Sequence, residues 1–317
     1  MTARENLLRA IRRDGAQWVP YRYDGSLTLL YPPVCARPLE GGVDDWGVRW
    51  IRTTPTEGSY VDNRPSVLPG GIEGFRAPQT DWDQVTAGLA AQVRERRGQD
   101  TLLVAYDEMA LFDRAQALMS TEEFLVAVAV MPEKVSLLLE RIGAYQRLLT
   151  RAIMRSGVSG IRFTDDWGMQ TSLFVPPEMW RSLVKPHLLE LYAIVQEHHG
   201  LVFQHSCGHI GEIVPDLVEL GLDVLDPCQP AANDIFGWKR DYGARLAFMG
   251  GLDTQSYLSF GTPQEVRKKV CEVLSVMARG GGYVAAPSHT ISIPEDNRRA
   301  MAEAIGEFNS RQASGLG

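Results

Sequence analysis

The chain has few cysteines and no long uninterrupted apolar stretch, and these two shortages exclude several classes of protein. Its 317 residues include four cysteines, too few for a disulfide scaffold, so in a reducing compartment they would be thiols or metal ligands. No stretch approaches the roughly 18 apolar residues of a membrane span, and the first residues lack the apolar core of a signal peptide. We therefore expect a cytoplasmic protein.

Basic residues are also outnumbered. The chain has 32 lysines and arginines against 39 acidic residues, a net charge of −7, and its basic residues form no long run. A protein that tracks nucleic acid needs a basic face to displace counterions, so this composition argues against nucleic-acid binding. With 44% apolar and 22% charged residues, the chain instead has the material for a full globular core.

From about residue 100 onward, short apolar runs alternate with longer amphipathic ones. The strand candidates are 101–105, 160–164, 201–204, 223–225, 245–249 and 283–286. The helices between them imply crossover connections and a parallel sheet. Segments 19–23 and 48–51 are candidates for the remaining strands. A Gly-rich phosphate loop of the dinucleotide-binding type is missing. This favours a (β/α)8 TIM barrel over an open doubly wound sheet. The barrel would be a single domain of residues 1–317, with a loop-rich first 100 residues.

Several helix boundaries carry local signals. The run 120–123 (STEE) predicts a capping box, and 262–265 (TPQE) places a cap, a proline and a capping acid in order. Residues 177–198 read as one long helix with a kink at Pro186, because a proline inside a helix removes one backbone donor.

Polar residues recur at the predicted ends of the strands. In a parallel barrel, catalytic groups project from the carboxyl ends of the strands, so these residues are expected to line one cavity at that mouth. They are Asp165, Asp166, His205, Cys207, Asp226, Cys228, Asp253, Ser288 and His289.

The most specific local pattern is His205-x-Cys207. Alternate residues of a strand share a face, so an imidazole and a thiolate would lie side by side, as two ligands of tetrahedral zinc do. His289, at the end of the last strand, would be the third ligand, and the aspartates at 165 and 166 could add an oxygen ligand or a supporting hydrogen bond. The alternative is a buried cysteine packed as a small apolar residue beside a histidine bonded to the backbone.

The other cysteines are weaker candidates for metal ligands. Cys271 lies inside an amphipathic helix and is expected to pack there, and Cys35 lies in a loop with no assigned role. Cys228 follows a strand end, where a place in the pocket wall is the simplest interpretation.

Three segments together resemble the uroporphyrinogen decarboxylase superfamily: 203–208 (FQHSCG), 250–255 (GGLDTQ) and 280–289 (GGGYVAAPSH). The run 164–168 (TDDWG) with 184–187 (VKPH) fits the same pattern. Within the superfamily the chain is similar to the branch of zinc-dependent, corrinoid-linked methyltransferases. This resemblance implies a (β/α)8 barrel with its site at the carboxyl-terminal mouth of the strands.

Two departures from the family's patterns matter. Uroporphyrinogen decarboxylases hold substrate carboxylates with an arginine-rich motif near the N-terminus, whereas the matching stretch here, 21–25 (YRYDG), has one arginine. The resemblance also implies His-x-Cys plus a distant cysteine as zinc ligands, and here Ser288 or His289 stands at the distant position. We therefore predict His205, Cys207 and His289 as the metal ligands.

The leading functional hypothesis is a zinc-dependent methyltransferase that moves a methyl group between a corrinoid, or another donor, and a thiol acceptor. Asp165 or Asp166 would orient a ligand or take the thiol proton, and Tyr23, Asp226, Asp253 and Ser288 would bind substrate. A corrinoid-binding signature is absent, so methylcobalamin or another corrinoid would come free or on a partner protein. Family habit suggests a homodimer.

Two alternatives stay open. The same barrel without metal could be a decarboxylase or lyase of a small carboxylate, with Asp165, His205 and His289 as acid and base groups. A barrel without activity could serve as a binding protein. Metal content separates the first hypothesis from the other two.

Overall fold

Helices and strands alternate along the chain in this computed structural model, which describes residues 1–34, 37–52, 58–62, 68, 71–289 and 291–314. The elements before residue 100 are α1 (Ala3–Arg12), β1 (Leu27–Leu30), β2 (Gly42–Val43), β3 (Arg49–Arg52), β4 (Ser59–Val61), α2 (Gly71–Gly74) and α3 (Trp82–Glu95). Next come β5 (Leu102–Asp107), α4 (Phe112–Met119), α5 (Thr121–Val130), α6 (Pro132–Arg155), β6 (Gly160–Thr164), α7 (Pro177–Leu183), α8 (Lys185–Glu197) and β7 (Leu201–His205). The last are α9 (Val214–Glu219), β8 (Val224–Asp226), α10 (Ile235–Tyr242), β9 (Ala247–Leu252), α11 (Tyr257–Phe260), α12 (Pro263–Met277), β10 (Tyr283–Pro287) and α13 (Glu295–Ala313).

Seven of the strands form one parallel sheet in the order β1-β5-β6-β7-β8-β9-β10. The register pairs Thr164 with His205 and His205 with Asp226, so polar residues of three strands meet at the carboxyl edge. Beyond β10, a single parallel bridge joins Tyr21 to Ala285. The predicted α/β fold with a parallel sheet is therefore confirmed, with seven strands in the described ranges where eight were expected.

The two N-terminal strand candidates were misplaced. Residues 48–51 fall mainly in β3, which belongs to a separate three-stranded antiparallel sheet of β2, β3 and β4. Residues 19–23 contribute only the Tyr21 bridge, because the Asp24 carboxylate accepts the N–H groups of Tyr21 (3.0 Å) and Ser26 (2.8 Å) and closes a turn there. The first full strand of the parallel sheet begins after that turn.

The two faces of the parallel sheet have separate apolar clusters. The smaller cluster occupies one face, and Leu7 and Ile11 of α1 pack into it at the amino-terminal ends of the strands. Its strand members alternate along the sequence, as in Leu201 and Phe203, the period expected of one face. His205 continues this series toward the carboxyl edge. The larger cluster joins the opposite face to the surrounding helices.

Local signals placed most of the helix boundaries correctly. The Ser120 side chain accepts the N–H of Glu123, and Thr262 and Glu265 form the predicted capping box. The predicted kink at Pro186 is a break between α7 and α8, with the proline in the first turn of α8, where its missing N–H costs no helical hydrogen bond.

Ion pairs of residues beside the three-stranded sheet connect it to α4 and to the loop after β5. Arg114 of α4 and Asp44, both almost fully buried, pair at 2.9 Å, and Asp44 also accepts the Trp50 indole N–H at 3.0 Å. Arg37 pairs with Glu108 just after β5. Trp50 and Tyr60 of this sheet thereby cover the carboxyl edge of the parallel strands.

Among the helices of the described ranges, none combines the length and the apolar character that crossing a bilayer requires.

Candidate metal centre

A cavity of about 1020 Å³ opens at the carboxyl edge of the parallel strands. Aromatic side chains from both sheets and from the segments on either side of β1 form much of its wall: Tyr23, Tyr31, Trp50, Tyr60 and Tyr106. Its ionisable lining residues include Arg22, Arg37, Arg162, Asp107, Glu108, Asp113, Asp166, His205, Cys207, Asp226 and His289. The cavity thus brings together groups from several strand ends.

Three potential metal ligands converge on one point of the wall. The ligand atoms of Asp166, His205 and Cys207 all lie within 4.8 Å of one another. Cys207 Sγ is 3.4 Å from His205 Nε2, which is 3.6 Å from Asp166 Oδ1. A tetrahedral zinc with bonds of about 2.0–2.3 Å has ligand–ligand separations of roughly 3.3–3.8 Å. The sulfur, nitrogen and oxygen donors therefore fit a zinc ion in kind and in spacing.

The orientation of the His205 ring is fixed by a hydrogen bond between its Nδ1 and Asp226. Its Nδ1 is 2.5 Å from Asp226 Oδ1, a contact in which Nδ1–H donates to the carboxylate and leaves the Nε2 lone pair facing Cys207 and Asp166. Arg162 grips the same carboxylate with two hydrogen bonds of 2.7 Å. Burial alone would raise the pKa of Asp226, but Arg162 and His205 hold that pKa well below its usual range. The carboxylate therefore stays ionised as the partner of the ring.

Asp166 is held by a side chain of α4 and by the backbone of the loop that follows β7. Its N–H donates to Asp113 Oδ2 at 3.0 Å, and its Oδ1 accepts the N–H of Cys207 at 2.7 Å. Burial raises the pKa of the Cys207 thiol, and the nearby carboxylates of Asp166, Asp226 and Asp113 raise it further. Negative charge therefore accumulates around the three ligand atoms, as expected of a site that accommodates a divalent cation.

A tight turn follows Cys207. Gly208 has φ +79°, and a Cβ there would lie 2.1 Å from the carbonyl oxygen of Gly168. Its N–H donates to Gln229 Oε1 at 2.6 Å, and its carbonyl accepts from Asn233 Nδ2 at 2.9 Å. The turn that follows Cys207 is thus held in place by contacts with the loops that follow β6 and β8.

The structure places the predicted site residues in different surroundings. Of the predicted ligands, His205 and Cys207 lie in the three-residue group, whereas His289 lines the same cavity outside that group. Burial lowers the pKa of His289, and the charge of His205 lowers it further. Tyr23 and Asp226, predicted to bind substrate, both line the cavity, and their binding of substrate stays a prediction.

The remaining predicted residues serve the loops around the cavity and are not among its lining residues. Asp165 is fully buried and accepts N–H groups at the start of α4, from Phe112 and Asp113 at 2.8 Å each. Asp253 accepts the N–H of Gln255 at 2.8 Å. Ser288 is buried and its Oγ accepts the N–H of Thr254 at 3.2 Å. Of the two adjacent aspartates, Asp166 is the one that faces the cavity.

Several lining residues were not predicted from the sequence, and three of them are charged groups near the strand ends. Arg162 lies within β6, Asp113 in the first turn of α4, and Asp107 at the end of β5. Burial raises the pKa of Asp107 to about 7. The sequence could have indicated Arg162, because it is the one charged residue in an otherwise uncharged strand. It also alternates with Thr164 and Asp166, so the strand period places the three on the same face.

The other cysteines lie apart from the metal group. Cys228 is buried and its thiol donates to the carbonyl of Leu225 at 3.2 Å. Cys271 lies on α12, as predicted. Cys35 falls outside the described residues.

Comparisons with known proteins identify the family. The model of the family described as "Uroporphyrinogen decarboxylase (URO-D)" matches residues 54–308, so the chain belongs to this family. A curated uroporphyrinogen decarboxylase from Chromohalobacter salexigens is 24% identical over 205 residues, covering 61% of this chain and 54% of the relative. The chain thus spans about half the length of that relative.

A solved structure shares the fold over nearly the whole chain. It is a methyltransferase from Methanosarcina mazei, superposed with a TM-score of 0.75 at 19% identity, covering 97% of this chain and 99% of that one. The α/β architecture with a parallel sheet is thereby supported over the full length of both chains.

The role of Asp226 in orienting the His205 ring can be tested with Asp226→Asn, which keeps the shape of the side chain but removes its charge. We expect zinc affinity to fall about 10- to 100-fold, because the ring loses its orienting carboxylate and Arg162 loses its partner. Titration against a zinc indicator measures the change. Asp223→Asn, a matched change at the opposite end of the same strand region, should leave the affinity unaltered, and equal losses in both variants would contradict the assignment.

Proposed function

We propose that the protein is a zinc-dependent methyltransferase that transfers a methyl group between a corrinoid and a thiol. The observation that carries the proposal is the convergence of Asp166 Oδ1, His205 Nε2 and Cys207 Sγ at separations that suit tetrahedral zinc. Three protein ligands leave one position for a substrate, as in catalytic zinc sites. Zinc bound here would supply the charge that stabilises a substrate thiolate at neutral pH.

The residues around the centre have separable tasks. Asp226 and Arg162 orient the His205 ring, while Asp166 and the turn at Gly208 fix the position of Cys207. The covering sheet shields the reacting atoms from bulk water with Trp50 and Tyr60. Asp107 lies in the cavity wall with a pKa raised by burial to about 7, so it can take up the thiol proton near neutral pH.

The methyl donor enters through the cavity. We infer that the corrinoid is free methylcobalamin or is carried by a partner protein, since the sequence lacks a corrinoid-binding signature. The similarity of the fold to the methyltransferase from Methanosarcina mazei supports the reaction type. We take the seven strands and the Tyr21–Ala285 bridge to form a (β/α)8 barrel that comprises the whole chain, and a homodimer remains our expectation.

A decarboxylase is the second candidate, favoured by the name of the family. Among the described residues that line the cavity there are three arginines, but Arg37 pairs with Glu108 and Arg162 with Asp226. The Arg22 guanidinium donates to the carbonyl of Leu27 and, of these three, is the one without a carboxylate partner. A substrate with many carboxylates would therefore be poorly held, which supports the methyltransferase over decarboxylation of a porphyrinogen.

Substitution of His289 tests whether His289 or Asp166 is the third protein ligand of zinc. With Asp166 as the third protein ligand, His289→Ala should keep full zinc content, because the three close ligand atoms remain. Asp166→Ala should lower zinc affinity by roughly tenfold or more. Metal analysis of both purified variants decides between them: loss of zinc in His289→Ala with retention in Asp166→Ala would restore His289 as the ligand.

The reaction itself is tested with methylcobalamin as donor and 2-mercaptoethanol as acceptor. We expect formation of the methyl thioether to depend on zinc, to stop when a chelator removes the metal and to return when zinc is added back. A chelated protein that decarboxylates a porphyrinogen or a small carboxylate at an undiminished rate would instead identify the second candidate.

A further inference from the structure

Four buried polar atoms on β5, α4 and α6 have no hydrogen-bond partner among the residues that the structure describes. They are Asp107 Oδ2, Arg114 Nε, Gln146 Oε1 and Thr150 Oγ1. Each of the four residues is at most 2% exposed. An unpaired polar atom in such surroundings carries a desolvation penalty of about 1–3 kcal/mol, so four of them in one region require an explanation.

Arg114 and Gln146 both act on Asp107, and Thr150 lies one helical turn from Gln146. Gln146 donates a hydrogen bond to the Asp107 carboxylate, and the charge of Arg114 acts on the same group. Gln146 and Thr150 are four residues apart on α6, which places them on one face of that helix. We call this group of Asp107, Arg114, Gln146 and Thr150 the polar chamber.

The hydrogen-bonding types in the polar chamber are complementary to water. Arg114 Nε is a donor, Gln146 Oε1 is an acceptor, and the Thr150 hydroxyl can be either. Buried waters typically make about three hydrogen bonds to polar groups that are otherwise unsatisfied. A water molecule both donates and accepts, so it can serve Asp107 Oδ2 whether that oxygen is ionised or protonated.

We propose that the polar chamber is an internal hydration site whose water solvates Asp107 and allows its carboxylate to take a proton from the substrate in the cavity. Asp107 is part of the polar chamber and is also one of the residues that line the cavity. The thiol proton passes to the carboxylate, which becomes a neutral carboxylic acid whose O–H donates to the chamber water. The function of the chamber in the reaction rests on the proposed methyl transfer to a thiol.

The charged groups acting on Asp107 are Arg114 of α4, Asp165 at the end of β6 and the neighbouring Glu108. Burial and the two carboxylates raise the pKa of Asp107, while Arg114 and the Gln146 hydrogen bond lower it. The balance, a pKa of about 7, lets the group change its protonation state near neutral pH. Removing a hydrogen-bond donor to the ionised form should raise this pKa further.

The first test is a crystal structure at a resolution that shows ordered water, for the wild type and for Thr150→Val. In the wild type we expect density within about 3.2 Å of at least three of the four atoms. Thr150→Val keeps the side-chain shape and should lose or displace that density. Direct pairing of the four atoms with one another, or the same water in both proteins, would overturn the proposal.

The second test is the pH dependence of kcat/KM with 2-mercaptoethanol. Activity should fall as the pH drops through about 7, because Asp107 is then already protonated, and Thr150→Val should move the midpoint upward by about one pH unit. Thr86→Val is the matched control, because the Thr86 hydroxyl bonds to the Trp82 and Ala152 carbonyls and lies outside the polar chamber. Equal profiles for wild type and Thr150→Val would refute the chamber, whereas absence of any thiol methylation would refute the proposed function instead.

Discussion

Cys207→Ser should weaken zinc binding by roughly a hundredfold or more and abolish methyl transfer. A thiolate is a strong zinc ligand, whereas a serine hydroxyl is not deprotonated under the same conditions. Cys207 also supplies the one sulfur in the group of three ligand atoms, so no neighbouring side chain replaces it in kind. Zinc content after dialysis against a weak chelator measures the effect.

Cys271→Ser is the matched control for this change. Cys271 is partly buried on α12, outside the three-residue metal group. Its substitution should leave zinc content and activity unchanged. If both variants kept zinc equally well, the ligand assignment of Cys207 would be wrong.

Gly208→Ala should have the second large effect, because it acts on the turn that presents Cys207. The added Cβ would lie 2.1 Å from Gly168 O and 2.7 Å from Met169 O, both backbone atoms, at a φ of +79°. We expect a loss of about 2–4 kcal/mol in the free energy of unfolding, together with a misplaced Cys207 and weaker zinc binding. Urea unfolding and zinc titration measure the two consequences separately.

Gly157→Ala isolates the cost of the backbone conformation alone. Gly157 has φ +88°, but a Cβ there would meet nothing within 4 Å. Its loss should be about 1 kcal/mol, with normal zinc binding. Equal losses of stability in both variants, with zinc binding intact in both, would show that the packing of Gly208 against Gly168 does not position the centre.

The sequence predicted the parallel strands well because their signal is local. Apolar runs such as 160–164 and 201–204 correspond closely to β6 and β7, and the strand period placed His205 and Cys207 on one face. The same strand period could have predicted that Asp166, and not Asp165, faces the cavity. Arg162, Thr164 and Asp166 are alternate residues, and all three line the cavity.

The features that the sequence did not reveal depend on contacts between distant segments. The first parallel strand begins late because Asp24 closes a turn before it, and residues 48–51 pair with β2 and β4 in place of a parallel neighbour. Likewise, which acid or imidazole approaches His205 depends on the conformation of the loops beyond the strand ends. Asp166 lies two residues beyond Thr164, the strand partner of His205, and its Oδ1 is 3.6 Å from His205 Nε2, a distance that no spacing in the sequence encodes.

The most direct test of the central claim is zinc X-ray absorption spectroscopy on the purified, zinc-loaded protein. The account predicts one zinc per chain with a single Zn–S bond of about 2.3 Å, from Cys207, and nitrogen or oxygen ligands at about 2.0–2.2 Å. Cys207→Ser should lose the sulfur signal. A stoichiometry far below one, or a spectrum without sulfur in the wild type, would contradict the assignment of Asp166, His205 and Cys207 as a zinc centre.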